Sequence, residues 1–290
     1  MRKRRISFFS FFNILLLTII SVCTVYPFWY VIVASFTGDD WASQMVYYLY
    51  PVKPTLNAYR MVFSTNSILT SYRNTLFITV IGTFLSLIIT SLTAYPLSKK
   101  RLHGAKFLTL MFYFTMLFSG GLVPTFLVVR GLGLYNNLWS LIWPKVVLVY
   151  NLLLMIAFFK SIPDSLEESA SLDGANDIVI LARIIFPISY PIFATMTLFY
   201  SVGYWNSWFD ALIYLSKPVL YPLQLVLREI IQVANMTFVS GGSADLTMTN
   251  MTTQSVRMAT IVVAILPIMC VYPFLQKHFV KGVMIGAIKS

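Results

Sequence analysis

The sequence predicts an all-α integral membrane protein with six transmembrane helices, on three observations. The 290-residue chain is 58% hydrophobic and only 11% charged, with a mean hydropathy of +0.77, whereas soluble domains average about 45–50% apolar and about 25% charged. Six apolar stretches are each long enough to cross about 30 Å of hydrocarbon at roughly 1.5 Å per residue. The 21 basic residues fall in short segments between those stretches, as in a positive-inside chain and unlike a nucleic-acid-binding surface. A soluble enzyme, a disordered chain and a disulfide scaffold are excluded by the same numbers. Residues 1–290 read as a single transmembrane domain.

The first span is placed at 12–36. Arg2-Lys3-Arg4-Arg5 precedes it, as in a signal peptide, but the uncharged run from Ile6 to Phe36 is 31 residues, far beyond an h-region of about 7–15. No small-x-small cleavage site closes the run, so it reads as a retained span. The others are placed at 74–97, 107–129, 138–159, 190–214 and 258–276. Cys23 and Cys270 lie within spans and read as buried, packing thiols. With the N-terminus inside, thirteen Lys and Arg fall in the inner segments and seven in the outer ones, with Lys145 left unassigned. That asymmetry predicts that both termini are cytoplasmic.

Of the outer segments, 37–73 and 215–257 are sizeable. In the second, Leu223, Val226, Leu227, Ile230 and Ile231 recur at helical spacing and predict a short amphipathic helix. Ser240-Gly241-Gly242-Ser243 and a polar Thr/Asn/Met run follow. The tail, 277–290, carries Lys277, Lys281 and Lys289 with Gly282 and Gly286 and is expected to run extended beside a partner. An anionic-lipid-binding tail is the alternative.

Candidate path residues lie in spans four and five. Lys145 and Asn151 read either as lining a path or as a snorkelling cation and an interhelical hydrogen bond. Tyr204 and Trp208 are four apart, as are Asn206 and Asp210, so each pair is expected to share a helix face. Measured from Tyr190 along one helix, Trp205 lies about 22 Å and Asp210 about 30 Å away. Aromatic rings stack on a pyranose, and Asn or Asp hydrogen-bonds its hydroxyls. An interfacial aromatic belt is the competing reading.

The segment 160–189, between spans four and five, is the most informative. Pro163 suits a first helical turn and Ser165-x-x-Glu168 has the form of a capping box. Asp173-Gly174 reads as a helix stop. Asn176 is expected to cap a second helix with Asp177 in its first turn, and Pro187 to end it. Ile178, Val179, Ile180, Leu181, Ile184 and Ile185 make that second helix apolar, so it needs burial against protein or lipid headgroups.

Glu168-x-Ala170-x-x-Asp173-Gly174-Ala175, then eleven residues, then Pro187, resembles the "EAA" signature of permease subunits in type I ATP-binding-cassette importers. The signature's first Ala is Ser169 here, one small residue for another. Phe118–Thr125, Gly131–Leu134, Val202–Phe209 and the tail Phe279–Lys289 look like the carbohydrate branch, and are similar to the smaller maltose-permease subunit and to polysaccharide-type permeases. The resemblance implies a type I importer permease fold with a cytoplasmic coupling helix, in the plasma membrane of a bacterium. It further implies a second permease, two ATPase subunits and an extracytoplasmic solute-binding protein that delivers an oligosaccharide. It assigns Glu168, Ser169, Ala170, Asp173, Gly174, Ala175, Pro187, Lys281 and Gly282 to ATPase coupling. Asn151, Tyr204, Trp205, Asn206, Trp208 and Asp210 are the candidate path residues.

No G-x-x-x-x-G-K-[ST] loop is present, so ATP and Mg²⁺ are expected on the partner ATPases and no cofactor on this chain. An ion-coupled carrier usually needs a cluster of two or more acidic residues within the spans, where Asp210 stands alone. A membrane enzyme would need a nucleophile–base or metal constellation. The sequence offers neither.

Overall fold

The computed structural model describes residues 8–38, 49–64, 66–240 and 254–287. The Arg2–Arg5 cluster, the Gly241-Gly242 stretch and Lys289 lie outside them. The described chain is helical, and its only strand-like pairing is one antiparallel bridge between Thr37 and Pro54. The helices are α1 Phe8–Ser35, α2 Asn57–Ser64, α3 Asn66–Ser98, α4 Ala105–Leu117, α5 Leu122–Gly131 and α6 Val149–Lys160. They continue with α7 Asp164–Leu172, α8 Asp177–Ile188, α9 Tyr190–Trp205, α10 Trp208–Tyr214, α11 Leu223–Ser240 and α12 Gln254–Ala287. The chain divides into two compact units, one from Met1–Asn66 and Leu227–Leu266, the other from Ser67–Val226 and Pro267–Ser290.

In the first unit, α1 is apolar around its circumference, and its most apolar stretch buries nothing within the chain. Its few polar side chains are self-satisfied: Thr18, Ser21 and Thr24 each donate to the carbonyl four residues back, at 2.8, 2.7 and 2.8 Å. A hydroxyl tied to its own helix needs neither water nor a partner, which lets it sit in an apolar solvent. Cys23 lies on this outward surface and is exposed, as is Cys270 on α12. The expectation of buried thiols is corrected, because outward faces of bilayer-facing helices carry apolar side chains too. At its end α1 is held by a hydrogen bond between the Ser35 and Tyr59 hydroxyls (2.7 Å) and by Phe36 against the Tyr59 ring.

The second unit holds the main core, and α3 shows its logic. Ser71, Thr75, Gly82, Ser86, Thr90 and Ala94 are on its buried side, while Val80, Phe84 and Leu92 are exposed. Ile68, Ile78, Tyr95 and Leu97 are buried as well, but the buried side is mostly small and polar while large apolar residues predominate outward, unlike a water-soluble helix. Ser86 and Thr90 meet the hydroxyls of Tyr204 and Tyr200 on α9 at 2.8 and 2.7 Å. At Gly82 a β-carbon would lie 2.8 Å from the Tyr204 ring. Glycine is therefore required there by close approach. Thr75 accepts from the Leu223 backbone N–H (2.8 Å), and Asn74 donates to the Val219 carbonyl (2.9 Å). Leu152, Met155, Ile156 and Phe159 of α6 and Met196 of α9 complete the core.

Two helices, Phe9–Ser35 and Asn66–Ser98, are long and apolar enough to cross a membrane unbroken. Three further segments qualify as bent pairs: α4 with α5 (115°), Leu138–Lys145 with α6 (45°) and α8 with α9 (85°). The spans placed at 107–129, 138–159 and 190–214 are not single continuous helices. The first breaks at Ser119-Gly120-Gly121, the second begins as short 3-10 turns around Pro144, and the third ends at Trp205. The described apolar start of α12, Gln254–Cys270, is a shorter helix. The amphipathic helix expected near 221–231 is α11, which starts at Leu223 and continues to Ser240, and buries Leu225 as well as Leu223 and Val226.

Filling Gly82 should loosen the α3–α9 contact. Gly82→Leu is expected to lower the thermal midpoint of the purified complex and its membrane abundance. Tyr204→Phe, which removes only the hydroxyl bonded to Ser86, should cost about 0.5–1.5 kcal/mol. Calorimetry or scanning fluorimetry of both variants measures the difference.

Candidate functional site

The segment after α6 forms a rigid elbow. Helix α7 starts after Pro163 with Asp164 and Glu167 in its first turn, where carboxylates favour the helix dipole. The expected capping box does not form. Pro163 occupies the cap, Ser165 lies inside the helix, and its carbonyl accepts from the Ser169 hydroxyl at 2.9 Å. The helix stop is as the sequence predicts: Gly174 has φ +83°. Its N–H donates to the Ser171 carbonyl and that of Ala175 to the Ala170 carbonyl, each at 3.0 Å. This pair is a Schellman closure, which brings the residue after the glycine back onto the last turn. Ala170 is buried and Ala175 half-buried at this seam, so both alanines are held small by the turn. Asn176 then caps α8, accepting from the Val179 N–H at 2.9 Å.

Helix α8 buries Ile180, Leu181 and Ile185 in the protein core rather than against headgroups. It widens to a π-turn over Leu181–Ile185 just before Pro187. Proline lacks the N–H for the preceding turn and its ring crowds the Arg183 carbonyl, so a wider turn relieves the conflict. Pro187 does not end the helix at once; the sharp bend comes at Ser189. On the outer side of the elbow Glu168, Ser169, Asp173 and Gly174 are exposed, and Leu172 and Ile178 are 89% and 72% exposed. Leu172 and Ile178 thus flank the rigid turn as an exposed apolar pair.

What braces the elbow was missed by sequence reasoning. The Lys99 ammonium pairs with the Glu167 carboxylate, with side-chain exposures of only 9% and 12%. The Tyr95 hydroxyl also donates to Glu167 (3.4 Å), and the Lys99 ammonium lies 5.0 Å from the centre of the Tyr95 ring. Arg101 pairs with Asp177 at the start of α8, and that hydrogen bond raises the guanidinium pKa further above its usual range. Lys100 and Asp164 approach to 3.9 Å on the open surface, where a pair contributes little. From Tyr95 the contacts continue edge-on to Phe159 of α6 and on to Phe193 of α9. Lys99-Lys100-Arg101 reads in the sequence as topology charge; the acidic Asp164, Glu167 and Asp177 were the available signal for pairing. Glu168 stays exposed while its neighbour Glu167 takes the buried partner.

The candidate path residues separate into two groups. Helix α9 ends at Trp205, and Asn206 and Ser207 turn the chain before α10, with their side chains donating back to the carbonyls of Val202 (3.0 Å) and Tyr204 (2.7 Å). The shared helix faces expected for Tyr204 with Trp208 and for Asn206 with Asp210 are therefore corrected, as are the distances along one helix. Tyr204 and Trp205 are 2% and 4% exposed, Tyr204 against Gly82 and Trp205 edge-on to Tyr72. They join helices. Asn206 is exposed, Trp208 half-buried, and Asp210 forms an ion pair with Lys145, at 22% and 35% side-chain exposure. Asn151 is 2% exposed, and its amide nitrogen has no hydrogen-bond partner among the described residues. Lys281 and Gly282 lie on α12, whose helix runs to Ala287. The tail expected to be extended is helical that far, continuing the apolar helix through Phe279, Val280, Val283, Met284 and Ile285 despite Gly282 and Gly286.

No family model matches the chain. Curated relatives match end to end. Protein LplC of Bacillus subtilis is 43% identical over 97% of this chain and 95% of its own. The polygalacturonan/rhamnogalacturonan transport system permease YtcP of the same organism is 43% identical over 94% and 96%. The crystal structure of a bacterial ATP-binding-cassette transporter that imports the acidic polysaccharide alginate contains a chain 34% identical, with TM-score 0.84, over 96% of this chain and 99% of that one. The chain is a sugar-importer permease of the ATP-binding-cassette family. It is a multi-pass membrane protein, and permeases of this family work with a second permease, an ATPase and a solute-binding protein.

Two outcomes follow for this permease. Gly174→Val should uncouple transport, since a β-branched residue is strained at φ +83°, whereas Gly174→Asn should be tolerated; sugar-stimulated ATP hydrolysis in the assembled complex measures both. Lys99→Gln or Glu167→Gln alone leaves a buried charge unpaired and should destabilise by about 3–5 kcal/mol, with Lys99→Gln/Glu167→Gln together recovering much of the loss. Thermal unfolding of the complex reads that cycle.

Proposed function

We propose that the chain is one of two permeases in an importer that carries an oligosaccharide, derived from a polysaccharide, from its solute-binding protein into the cytoplasm by alternating access. End-to-end similarity at 43% identity to a polysaccharide-type permease carries this reading. The chain crosses the membrane six times, α12 supplying the last crossing, with both termini cytoplasmic as the Lys and Arg asymmetry requires. The α7–α8 elbow seats in a cleft of one ATPase, Leu172 and Ile178 giving the apolar contact and Gly174 its stereochemistry. ATP and Mg²⁺ act on that partner. Because Lys99 and Arg101 clamp both sides of the elbow, ATPase closure moves α3, α6 and α9 with it.

The sugar passes the break between α9 and α10. Non-helical backbone at membrane depth is tolerated where it lines a watery path or is covered by protein, and Asn206, Trp208 and Asp210 flank that break. Lys145 is a cation at the same place, held by Asp210. An acidic sugar, the class named for the alginate importer, would engage Lys145 by displacing Asp210 from the pair.

Reconstituted with its partner subunits and binding protein, the wild-type complex should take up acidic oligosaccharides in preference to neutral ones. Asn206→Ala and Trp208→Phe should each reduce uptake several-fold at unchanged basal ATP hydrolysis. Asp210→Asn, which frees Lys145, should change apparent affinity for the acidic sugar more than for a neutral one. Undiminished uptake in all three would remove the break from the path.

A further inference from the structure

We propose that the lysine-lined cavity beside the start of α4 binds the phosphate headgroup of an anionic phospholipid in the cytoplasmic leaflet. The cavity holds about 590 Å³ between the end of α3, the start of α4 and the end of α6. Four lysines line it, Lys99, Lys100, Lys106 and Lys160, and no carboxylate does. Lys99 is committed to Glu167 and Lys100 lies 3.9 Å from Asp164. Lys106 and Lys160 form no ion pair among the described residues, and both are exposed. Lys100 and Lys160 also line the neighbouring cavity that holds Asp164, Glu167 and Glu168, whereas Lys106 lines only the carboxylate-free one, so this cavity carries an excess of positive charge.

The rest of the cavity suits an amphiphile rather than a free anion. The N-terminal residues of α4, Ala105 and Lys106, line it, so the positive end of a 13-residue helix adds to the lysine field. Leu110 and Tyr113, one and two turns further along, line it too and are 65% and 47% exposed. Helix α4 buries no residue within the chain, and Phe107, Leu110, Phe114 and Leu117 form a continuous exposed apolar strip. A phosphodiester fits among the lysines while its acyl chains run along that strip. A soluble phosphate would gain the first contact and not the second. Basic pockets between helices on the cytoplasmic side are the setting in which anionic headgroups are held. Only the choice of leaflet rests on the orientation proposed above.

The test uses the assembled transporter in nanodiscs of phosphatidylcholine with or without phosphatidylglycerol. After transfer to detergent, mass spectrometry counts the lipid retained. Wild type should retain phosphatidylglycerol over phosphatidylcholine. Lys106→Gln and Lys160→Gln should each lower that retention roughly fivefold, an effect of the size expected for one lysine near an anionic surface, and Leu110→Asn should lower it with the lysines intact. Added phosphatidylglycerol should raise the thermal midpoint of wild type and not of Lys106→Gln/Lys160→Gln. Equal retention of the two lipids, or unchanged retention in the lysine variants, overturns the proposal. An identical midpoint shift from inorganic phosphate would make it a soluble-anion site, and loss of ATPase subunits from the lysine variants a protein interface; either overturns it. Sugar uptake by the same samples is read separately, so failure of the transport reading leaves the lipid count interpretable.

Discussion

The buried pair of Lys99 and Glu167 is the constraint from which the cytoplasmic face of this permease is organised. A charge withdrawn from water is tolerated only when its partner is held in place, so α7 cannot be positioned independently of the end of α3. The Tyr95 hydroxyl occupies a second site on the same carboxylate, and its ring meets Phe159. One carboxylate therefore registers the elbow against α3 and, through two aromatic contacts, against α6 and α9. Arg101 and Asp177 repeat the arrangement across the turn with more water access. A loop restrained on both arms transmits displacement; one restrained on neither would absorb it.

Within the apolar body the packing follows from the absence of water on the outside. Large side chains gain little hydrophobic free energy by turning inward when the surroundings are equally apolar, so van der Waals packing, close approach and hydroxyl contacts hold the helices together. Gly82, Ser86 and Thr90 present such a face to Tyr200 and Tyr204. Polar groups that find no second helix bond to their own, as Thr18, Ser21 and Thr24 do. The breaks at Ser119-Gly120-Gly121 and Asn206-Ser207 are the exceptions to continuous helix. Such interruptions survive in a membrane only beside water or protein, which is why the α9–α10 break, with Lys145 and Asp210 beside it, is where a hydrophilic cargo is to be sought.

The candidate site was only partly legible. Asp173-Gly174 and Asn176 were readable because a left-handed glycine and an N-cap satisfy backbone groups within a few residues. Ser165-x-x-Glu168 misled because Pro163 already held the cap. Tyr204 looked like a wall of a sugar path because aromatic residues serve both packing and stacking, and only its neighbour Gly82, far away in the chain, separates those uses. The role of Glu167 was hidden by Glu168 beside it, since a signature read along the chain does not say which of two carboxylates turns inward.

By itself, the sequence determined the all-helical membrane class, the positions of the apolar stretches, the elbow's turn and the family. Each depends on composition, on helical period or on stereochemistry spanning a few residues, and such terms act before the chain has a tertiary structure. The tertiary structure alone decided that Lys99 answers Glu167, that Lys145 answers Asp210, that Gly82 receives Tyr204, and where three of the expected helices bend. These contacts join residues that lie far apart in the chain, and they exist only once packing has excluded water between them. A broken helix is likewise affordable only where distant groups or solvent satisfy the backbone it exposes, and helical period within one segment carries no record of those.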